Sequence, residues 1–246
     1  VNNANEHAAS LGVTHVEYRD CIPHEGMAAD TRKSNLLLEL PESADELWAG
    51  FPSKLRSQIK RPMREDPAVF DGGAEYLDEF YSVFARNMRD LGTPVYSKSF
   101  FANILECFPD AGRILMVRMS GVPVAAGFLL GYKGRLEIPW ASTLREVNHL
   151  SVNMLLYWEV LKLAVQMGHR RFDFGRSSMD SGTYRFKCQW GARPEQSYWH
   201  YWLNTGQGMP SLNPDNPKYA LAIRLWKHLP LALTNRLGPR IVRNLP

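Results

Sequence analysis

Cysteine is scarce: Cys21, Cys107 and Cys188 are the three in 246 residues, and they stand far apart. That is too few for a disulfide framework and too scattered for a zinc cluster, so a reducing cytoplasmic setting is the expectation. The seven histidines are equally dispersed. With no His-Glu-x-x-His and no Cys-x-x-Cys, no metal is expected. A Gly-x-x-x-x-Gly-Lys-Ser/Thr loop and a Gly-x-Ser-x-Gly elbow are missing too, which argues against nucleotide hydrolysis and serine hydrolase chemistry. No stretch approaches the roughly 18 apolar residues of a membrane span, and no charged-then-apolar leader precedes a small-residue cleavage site. The chain therefore reads as soluble, with room for a signal only in a segment upstream.

What is present is a 45% hydrophobic chain, enough for one good core or one core plus part of another. The net charge of +4 is modest but uneven. Lys54, Arg56, Lys60, Arg61 and Arg64 fall together with no acid before Glu65, and Lys218, Arg224, Lys227, Arg236, Arg240 and Arg243 follow Asp215 with no acidic neighbour. Such patches neutralise phosphates on a nucleotide-linked substrate, a tRNA or an anionic membrane, or they are solvated helix faces.

Along the chain, residues 3–11 read as a helix end and 13–18 as a strand. Asn35–Leu40 is a compact apolar strand, and Ser43-Ala-Asp-Glu46 has capping-box spacing. Leu55, Ile59 and Met63 give the basic helix 53–61 one buried face, with Pro62 expected to end or kink it. A helical stripe runs from Tyr76 to Met88, the turn Leu91–Pro94 follows, and another helix lies near Lys98–Cys107. The pattern then changes to sheet. Arg113–Met119, Val122–Tyr132 and Arg135–Trp140 are three strands joined by the hairpin turns Ser120-Gly121 and Lys133-Gly134. Val152–Met167 is a long helix ended by Gly168, leading to strand 170–174; Arg193–Leu203 is a strand, 204–214 a Gly/Pro/Asn linker and 217–228 a short amphipathic helix.

Residues 175–191 carry the densest chemistry. A strand Phe172-Asp173-Phe174 that ends at Gly175, then restarts as a short helix with Tyr184, Arg185, Phe186 and Lys187, puts donors, cations and rings at a strand's C-terminal edge. Open α/β sheets bind ligands there. The run Phe172-Asp173-Phe174-Gly175, the following Gly182-Thr-Tyr-Arg-Phe-Lys187 and the closing Trp190-Gly191 resemble the signature of the Fem-type (FemAB) transferases, which are similar in fold to the acetyltransferases of the GNAT superfamily. The likeness runs from about Asn35 to Trp202, and its nearest form resembles the FemAB-related proteins associated with exosortase and PEP-CTERM exopolysaccharide systems. In the family, paired GNAT-like domains attach an amino acid, usually carried by aminoacyl-tRNA, to an amine on a peptidoglycan precursor.

An internal match adds to this. Ala8-Ala-Ser-Leu-Gly12-Val-Thr-His-Val-Glu-Tyr18 aligns at a constant offset with Ala164-Val-Gln-Met-Gly168-His-Arg-Arg-Phe-Asp-Phe174, each a helix end, a glycine cap and an alternating strand. A chance match between common helix–Gly–strand junctions is the alternative. A duplicated fold would make residues 1–34 the C-terminal remnant of a first GNAT-like domain, 35–204 a complete GNAT/Fem-like catalytic domain and 205–246 a linker with a basic helical tail. Val1 would then not be a natural start. The expected fold is α/β and GNAT-like: a mixed, mostly antiparallel sheet flanked by helices.

The resemblance also assigns roles. Phe186-Lys187 matches a Phe-Lys dipeptide near the reacting carbonyl, where the Lys187 cation stabilises developing negative charge or orients the tRNA acceptor end. A surface lysine at a helix start is the alternative. Tyr184 is placed to shuttle a proton to a leaving hydroxyl and Arg185 to grip a carboxylate or phosphate. Arg176 would face the same cleft, and Phe186 either contacts substrate or, with Trp190, fills the core. Arg86–Tyr96 resembles the region that contacts the nucleotide-linked acceptor: Arg86 and Arg89 share a helix face suited to one anion, and Tyr96 could stack on a ring, unless these are a solvated basic face and a packed tyrosine. Glu137, Trp140 and Ser142 belong to the cleft edge; Glu137 is a general base or an ion-pair partner of an arginine. Asn153 matches a family asparagine ahead of Leu155-Leu-Tyr-Trp158, or caps its helix. Arg145–Ser151 stands where acetyl-CoA-dependent relatives have a glycine loop for pyrophosphate, and it has neither glycine, so tight coenzyme A binding is not expected.

The function expected is transfer of an aminoacyl or acyl group to an amine of a cell-envelope saccharide or peptide precursor, with no tightly bound cofactor, no DNA partner and aminoacyl-tRNA or acyl-CoA as donor. An acyl-CoA or acyl-carrier-protein N-acyltransferase, or a non-catalytic polysaccharide-assembly protein, are the alternatives. The site would be cytoplasmic at the inner face of the membrane, with the basic tail as a candidate for peripheral membrane contact.

Overall fold

In a computed structural model, residues 1–206, 208 and 217–243 are described. The chain divides into two compact units: among the described residues the smaller holds 1–37, 174–206 and 208, and the larger holds 38–173 and 217–243. The elements are α1 (Asn2–Ser10), β1 (His15–Asp20), β2 (Ala28–Asp30), β3 (Lys33–Glu39), α2 (Ala44–Gly50), α3 (Ser53–Met63), β4 (Ala68–Gly72), α4 (Leu77–Leu91), α5 (Lys98–Cys107), β5 (Gly112–Met119), β6 (Val122–Tyr132), β7 (Arg135–Thr143), α6 (Val152–Gln166), β8 (Arg171–Ser178), α7 (Gly182–Cys188), β9 (Arg193–Gln196), β10 (Tyr198–Leu203), α8 (Pro217–Trp226) and α9 (Leu231–Val242).

The larger unit is built on the order β4-β5-β6-β7-β8, antiparallel except for β7 with β8, whose parallel register sets Arg135 beside Arg171 and Glu137 beside Asp173. This is the mixed, mostly antiparallel sheet that the sequence predicts. Strand alternation sends Ile114, Met116, Ala126 and Phe128 into one core with Phe80, Val83, Phe84 and Phe101 of α4 and α5. The intervening Leu115, Val117, Ala125 and Leu129 are buried too, and α6 packs on β5, β6 and β7 together with α2 and α3. A sheet covered on both faces explains why α6 buries Val152, Leu155, Leu156, Val160 and Leu161 nearly completely.

The smaller unit contains the antiparallel order β1-β10-β2, with Arg19 and Asp30 both opposite Trp199, and the antiparallel pair β3–β9. Lys187 of α7 and Trp190 are buried here.

Local signals resolve as their chemistry requires. The Ser43 hydroxyl accepts from the Glu46 amide at 3.1 Å, the forward arm of the capping box. At the end of α1 the Gly12 amide donates to Ala9 O and the Val13 amide to Ala8 O; at the end of α6 the Gly168 amide donates to Val165 O and the His169 amide to Ala164 O. Aligned residues thus make the same two cap bonds, and both glycines have positive φ.

Several boundaries differ from expectation. The strand expected to stop at Gly175 continues to Ser178, because Gly175 adopts φ +74° inside the strand instead of closing it. Helix α3 includes Pro62 and ends one residue later at Met63, in keeping with a proline that lacks the amide donor and closes the helix. Arg193–Leu203 splits at Ser197 into β9 and β10, and β7 runs on to Thr143. Strands β2 and β4 and helix α9 are additional. The expected linker at 204–214 lies for the most part outside the described residues.

Candidate functional site

In the smaller unit, α7 starts at Ser181, whose hydroxyl accepts from the Tyr184 amide at 3.1 Å and bonds the Thr183 hydroxyl at 2.9 Å. One turn later the helix turns Lys187 inward, leaving it 9% exposed. The Lys187 Nζ donates to Gly175 O and to Arg176 O, both at 3.0 Å. In a regular strand, successive carbonyls point to opposite sides, and one ammonium could not reach two in a row. The positive φ of Gly175 breaks that alternation and makes the paired acceptors. A Cβ on Gly175 would come no nearer than 3.9 Å to Lys187 Nζ, so the requirement for glycine is conformational and not one of space. Burying an ammonium is expensive without hydrogen-bond partners, and the two carbonyls supply them. Lys187 is therefore no surface lysine.

Its neighbours sort by exposure. Trp190, 1% exposed, packs at 6.5 Å centroid distance on Phe174 and at 6.3 Å on Phe186, so Phe186 supports the helix from its half-buried side. Tyr184 is half-buried, and desolvation, then the adjacent Cys188 thiol and Asp180, hold its phenol above the ordinary range. It is a proton donor at neutral pH, not a phenolate. Arg185 is exposed. The Arg176 guanidinium lies 4.5 Å from the centroid of Trp199, with Arg19 at 4.4 Å and the Lys33 ammonium at 5.0 Å from the same ring. This gathering of three cations on one indole was missed from the sequence. The alternation of the Tyr198–Trp202 strand marks Trp199 as a face residue, but only the register of β1 with β10 brings Arg19 to it.

In the larger unit, Arg86 and Arg89 project from α4 as expected, and each has an acid. Arg86 pairs with Glu146, while Arg89 forms a fork to Asp90 at 2.7 and 2.9 Å, and the Asp90 carbonyl accepts from Arg145. Asn87 Nδ2 donates to the buried Ser142 hydroxyl at 3.2 Å. Tyr96 is stacked on Phe100 at 4.8 Å and meets Trp140 edge-on at 5.9 Å; its carbonyl accepts from the Tyr81 hydroxyl at 3.0 Å. Trp140 also contacts Phe101 and Phe128, which ties both rings to the core. Glu137 is half-buried on β7 opposite Asp173, and Arg135 pairs with Asp173 at 3.5 Å. Residues Arg145–Leu150 form a 3-10 turn, and Ser151, with φ +63°, precedes α6, so Asn153 lies within the first turn and is not the cap.

The structure thus gathers Lys187, Tyr184, Arg185, Phe186 and Arg176 in one unit, and Arg86, Arg89, Tyr96, Glu137, Trp140 and Asn153 in the other.

Known proteins place this geometry. The chain is 25% identical over 174 residues to the UDP-N-acetylmuramoylpentapeptide-lysine N(6)-alanyltransferase of Weissella viridescens, an overlap that takes in 68% of this chain and 52% of that protein. It therefore spans about half the length of this curated relative. The crystal structure of FemX superposes with a TM-score of 0.65 at 13% identity, covering 80% of this chain and 74% of FemX. The C-terminal domain of a proposed lysylphosphatidylglycerol synthetase from Agrobacterium fabrum gives a TM-score of 0.65 at 15% identity, covering 80% of this chain and 70% of that one. These likenesses bear out the GNAT-like α/β fold read from the sequence. A family model described as an acetyltransferase (GNAT) domain matches residues 53–188, more than half of the chain, and the protein belongs to that family.

Proposed function

We infer that this chain is an acyltransferase that moves an aminoacyl group from an activated ester to an amine of a cell-envelope precursor. The observation that carries the reading is the buried Lys187 ammonium fixed on Gly175 O and Arg176 O within the Fem-like segment. The Weissella relative, named for alanyl transfer to a lysine N6 of a UDP-linked muropeptide, supports an amine acceptor of that class. Residues 1–34 fit the remnant of a preceding duplicated domain, since α1 and α6 share their cap bonds at aligned positions.

The chemistry needs a neutral amine, an electrophilic carbonyl and an outlet for a proton. As the acceptor nitrogen attacks, a C–N bond forms and the carbonyl oxygen takes negative charge, which a fixed cation stabilises more than it stabilises the ground state. Collapse breaks the C–O bond to the donor's ribose; Tyr184, kept protonated, is suited to give that oxygen a proton, and the amine proton leaves to solvent or to the phenolate so formed. Arg185 and Arg176 are suited to phosphate or carboxylate of the donor, and Arg86 and Arg89 to anionic groups of the acceptor, exchanging Glu146 and Asp90 for the ligand. The 3-10 turn at Arg145–Leu150, lacking glycines, favours aminoacyl-tRNA over coenzyme A as donor.

Transfer of a labelled amino acid from aminoacyl-tRNA to UDP-linked muropeptide tests the reading. Product made by the wild-type chain and lost in Lys187→Met supports it; equal product from both removes Lys187 from the mechanism. A second reading, a coenzyme-A-dependent N-acyltransferase, is favoured by the family's acetyltransferase description. Calorimetry with acetyl-CoA and longer acyl-CoAs decides it, since micromolar binding would promote it and heat at the dilution level would dismiss it.

A further inference from the structure

The C-terminal helix pair carries a surface that the transfer chemistry does not use. Helix α8 packs by one side: Ile223 and the Lys227 stem crowd Gly92 at the end of α4, where a Cβ would fall 2.6 Å from Ile223 Cγ2, and Trp226 is 9% exposed. At 3.6 residues per turn the opposite side of the helix is the Leu221–Leu225 stripe, and these leucines are 65% and 59% exposed. Arg224 and His228 flank them, both exposed. A docked helix whose outermost line is leucine inverts the pattern that water selects. Helix α9 is also docked, through the buried Thr234 and through Gly238, whose backbone lies against Val95. Its far side exposes Arg236, Arg240 and Arg243 at i, i+4, i+7 spacing. From Asn216 to Pro246 the sequence has six lysines and arginines and no Asp or Glu.

We propose that α8 and α9 seat this protein on an anionic bilayer surface, with Leu221 and Leu225 entering the acyl boundary and the basic residues meeting lipid phosphates. Charge decides between occupants. A second copy would bring one basic helix pair against another and be repelled, and a nucleic acid would use the arginines but gain nothing from bare leucines. An anionic interface accepts both features. Among the described residues no helix is long and apolar enough to cross a membrane, so the contact is superficial. This inference does not depend on the donor, the acceptor or Lys187.

The test is co-sedimentation of the full chain with vesicles of phosphatidylcholine alone or mixed with phosphatidylglycerol. The wild type should pellet with the mixed vesicles and stay in solution with the neutral ones, and raising the salt from 0.1 to 0.5 M should release most of it, because the screening length shortens from about 10 Å. Leu221→Asp with Leu225→Asp should lower vesicle partition at least about tenfold while leaving retention on heparin unchanged. Replacing Arg236 and Arg243 by Ala should lower partition about fivefold per residue. Circular dichroism and a thermal melt should match the wild type, since all four side chains are exposed; Leu→Gln at the same two positions substitutes if the Asp variant melts early. Equal binding to neutral and anionic vesicles, no vesicle binding, or a leucine variant that pellets like the wild type would each overturn the proposal.

Discussion

Lys187 in α7 and the arginine pair of α4 carry two different cationic roles in the sequence reading, charge stabilisation at the reacting carbonyl and grip on an acceptor anion, and the structure houses them differently. Lys187 is 9% exposed and clasped by two backbone carbonyls. The side chains of Arg86 and Arg89 are 42% and 25% exposed, and each is matched to a carboxylate, Glu146 at 56% and Asp90 at 15%. An ion pair open to water is readily exchanged for a ligand anion, whereas an ammonium buried against backbone carbonyls keeps its place. The difference teaches which cation is suited to a reacting atom and which to holding a substrate.

The largest effect should come from the support beneath Lys187. Trp190→Ala removes a fully buried ring and should destabilise by about 3–5 kcal/mol, read as a fall in urea midpoint. A loss below about 1 kcal/mol would mean that the α7 segment is not anchored as described. Gly175→Ala attacks the cradle itself: a non-glycine residue at φ +74° is strained by about 1–2 kcal/mol, and relief would rotate the carbonyls from Lys187. Turnover should fall with acceptor KM nearly unchanged. On the α4 side, Arg86→Ala and Arg89→Ala should leave stability within about 1 kcal/mol but raise acceptor KM about tenfold with kcat preserved. Should these variants lose kcat instead, the division of labour between the two regions would collapse.

The smallest test compares one tyrosine from each unit. Burial pushes the phenols of Tyr157 in α6 and Tyr201 in β10 up to about 12, and for Tyr201 the hydrogen bond to Glu17 adds to this. Both lie above the unfolded value of about 10, so the folded protein keeps these protons longer. Their contribution is complete below about pH 10 and is lost as pH rises toward about 12. Urea midpoints should be flat to pH 9 and fall from 10 upward, with Tyr201→Phe falling less steeply.

Much of this was legible because its physics is local. The Ser43 cap, the hairpin glycines Gly121 and Gly134, and the two matching glycine caps each announce a backbone conformation through one side chain or its absence. Strands β2 and β4 gave no such signal, being three and five residues long and without clean alternation. Helix α9 was hidden by Gly238-Pro239, ordinarily breakers; Gly238 is explained by close approach to Val95, where a Cβ would fall 2.8 Å from its amide nitrogen. At the candidate site, the Phe-Lys segment was readable as chemistry but the reason for its position was not. Gly175 looked like a strand end, while its role is to turn two carbonyls toward one ammonium. The cation cluster on Trp199 rests on pairings distant in sequence, which no local pattern encodes.

The most direct test is a kcat and KM measurement for Lys187→Met beside Arg89→Ala, with aminoacyl-tRNA as donor and UDP-linked muropeptide as acceptor. A fixed oxyanion-stabilising cation predicts that Lys187→Met lowers kcat by about 100- to 1000-fold at unchanged acceptor KM, with Arg89→Ala showing the reverse split. A well-folded Lys187→Met chain that turns over at the wild-type kcat would contradict the account.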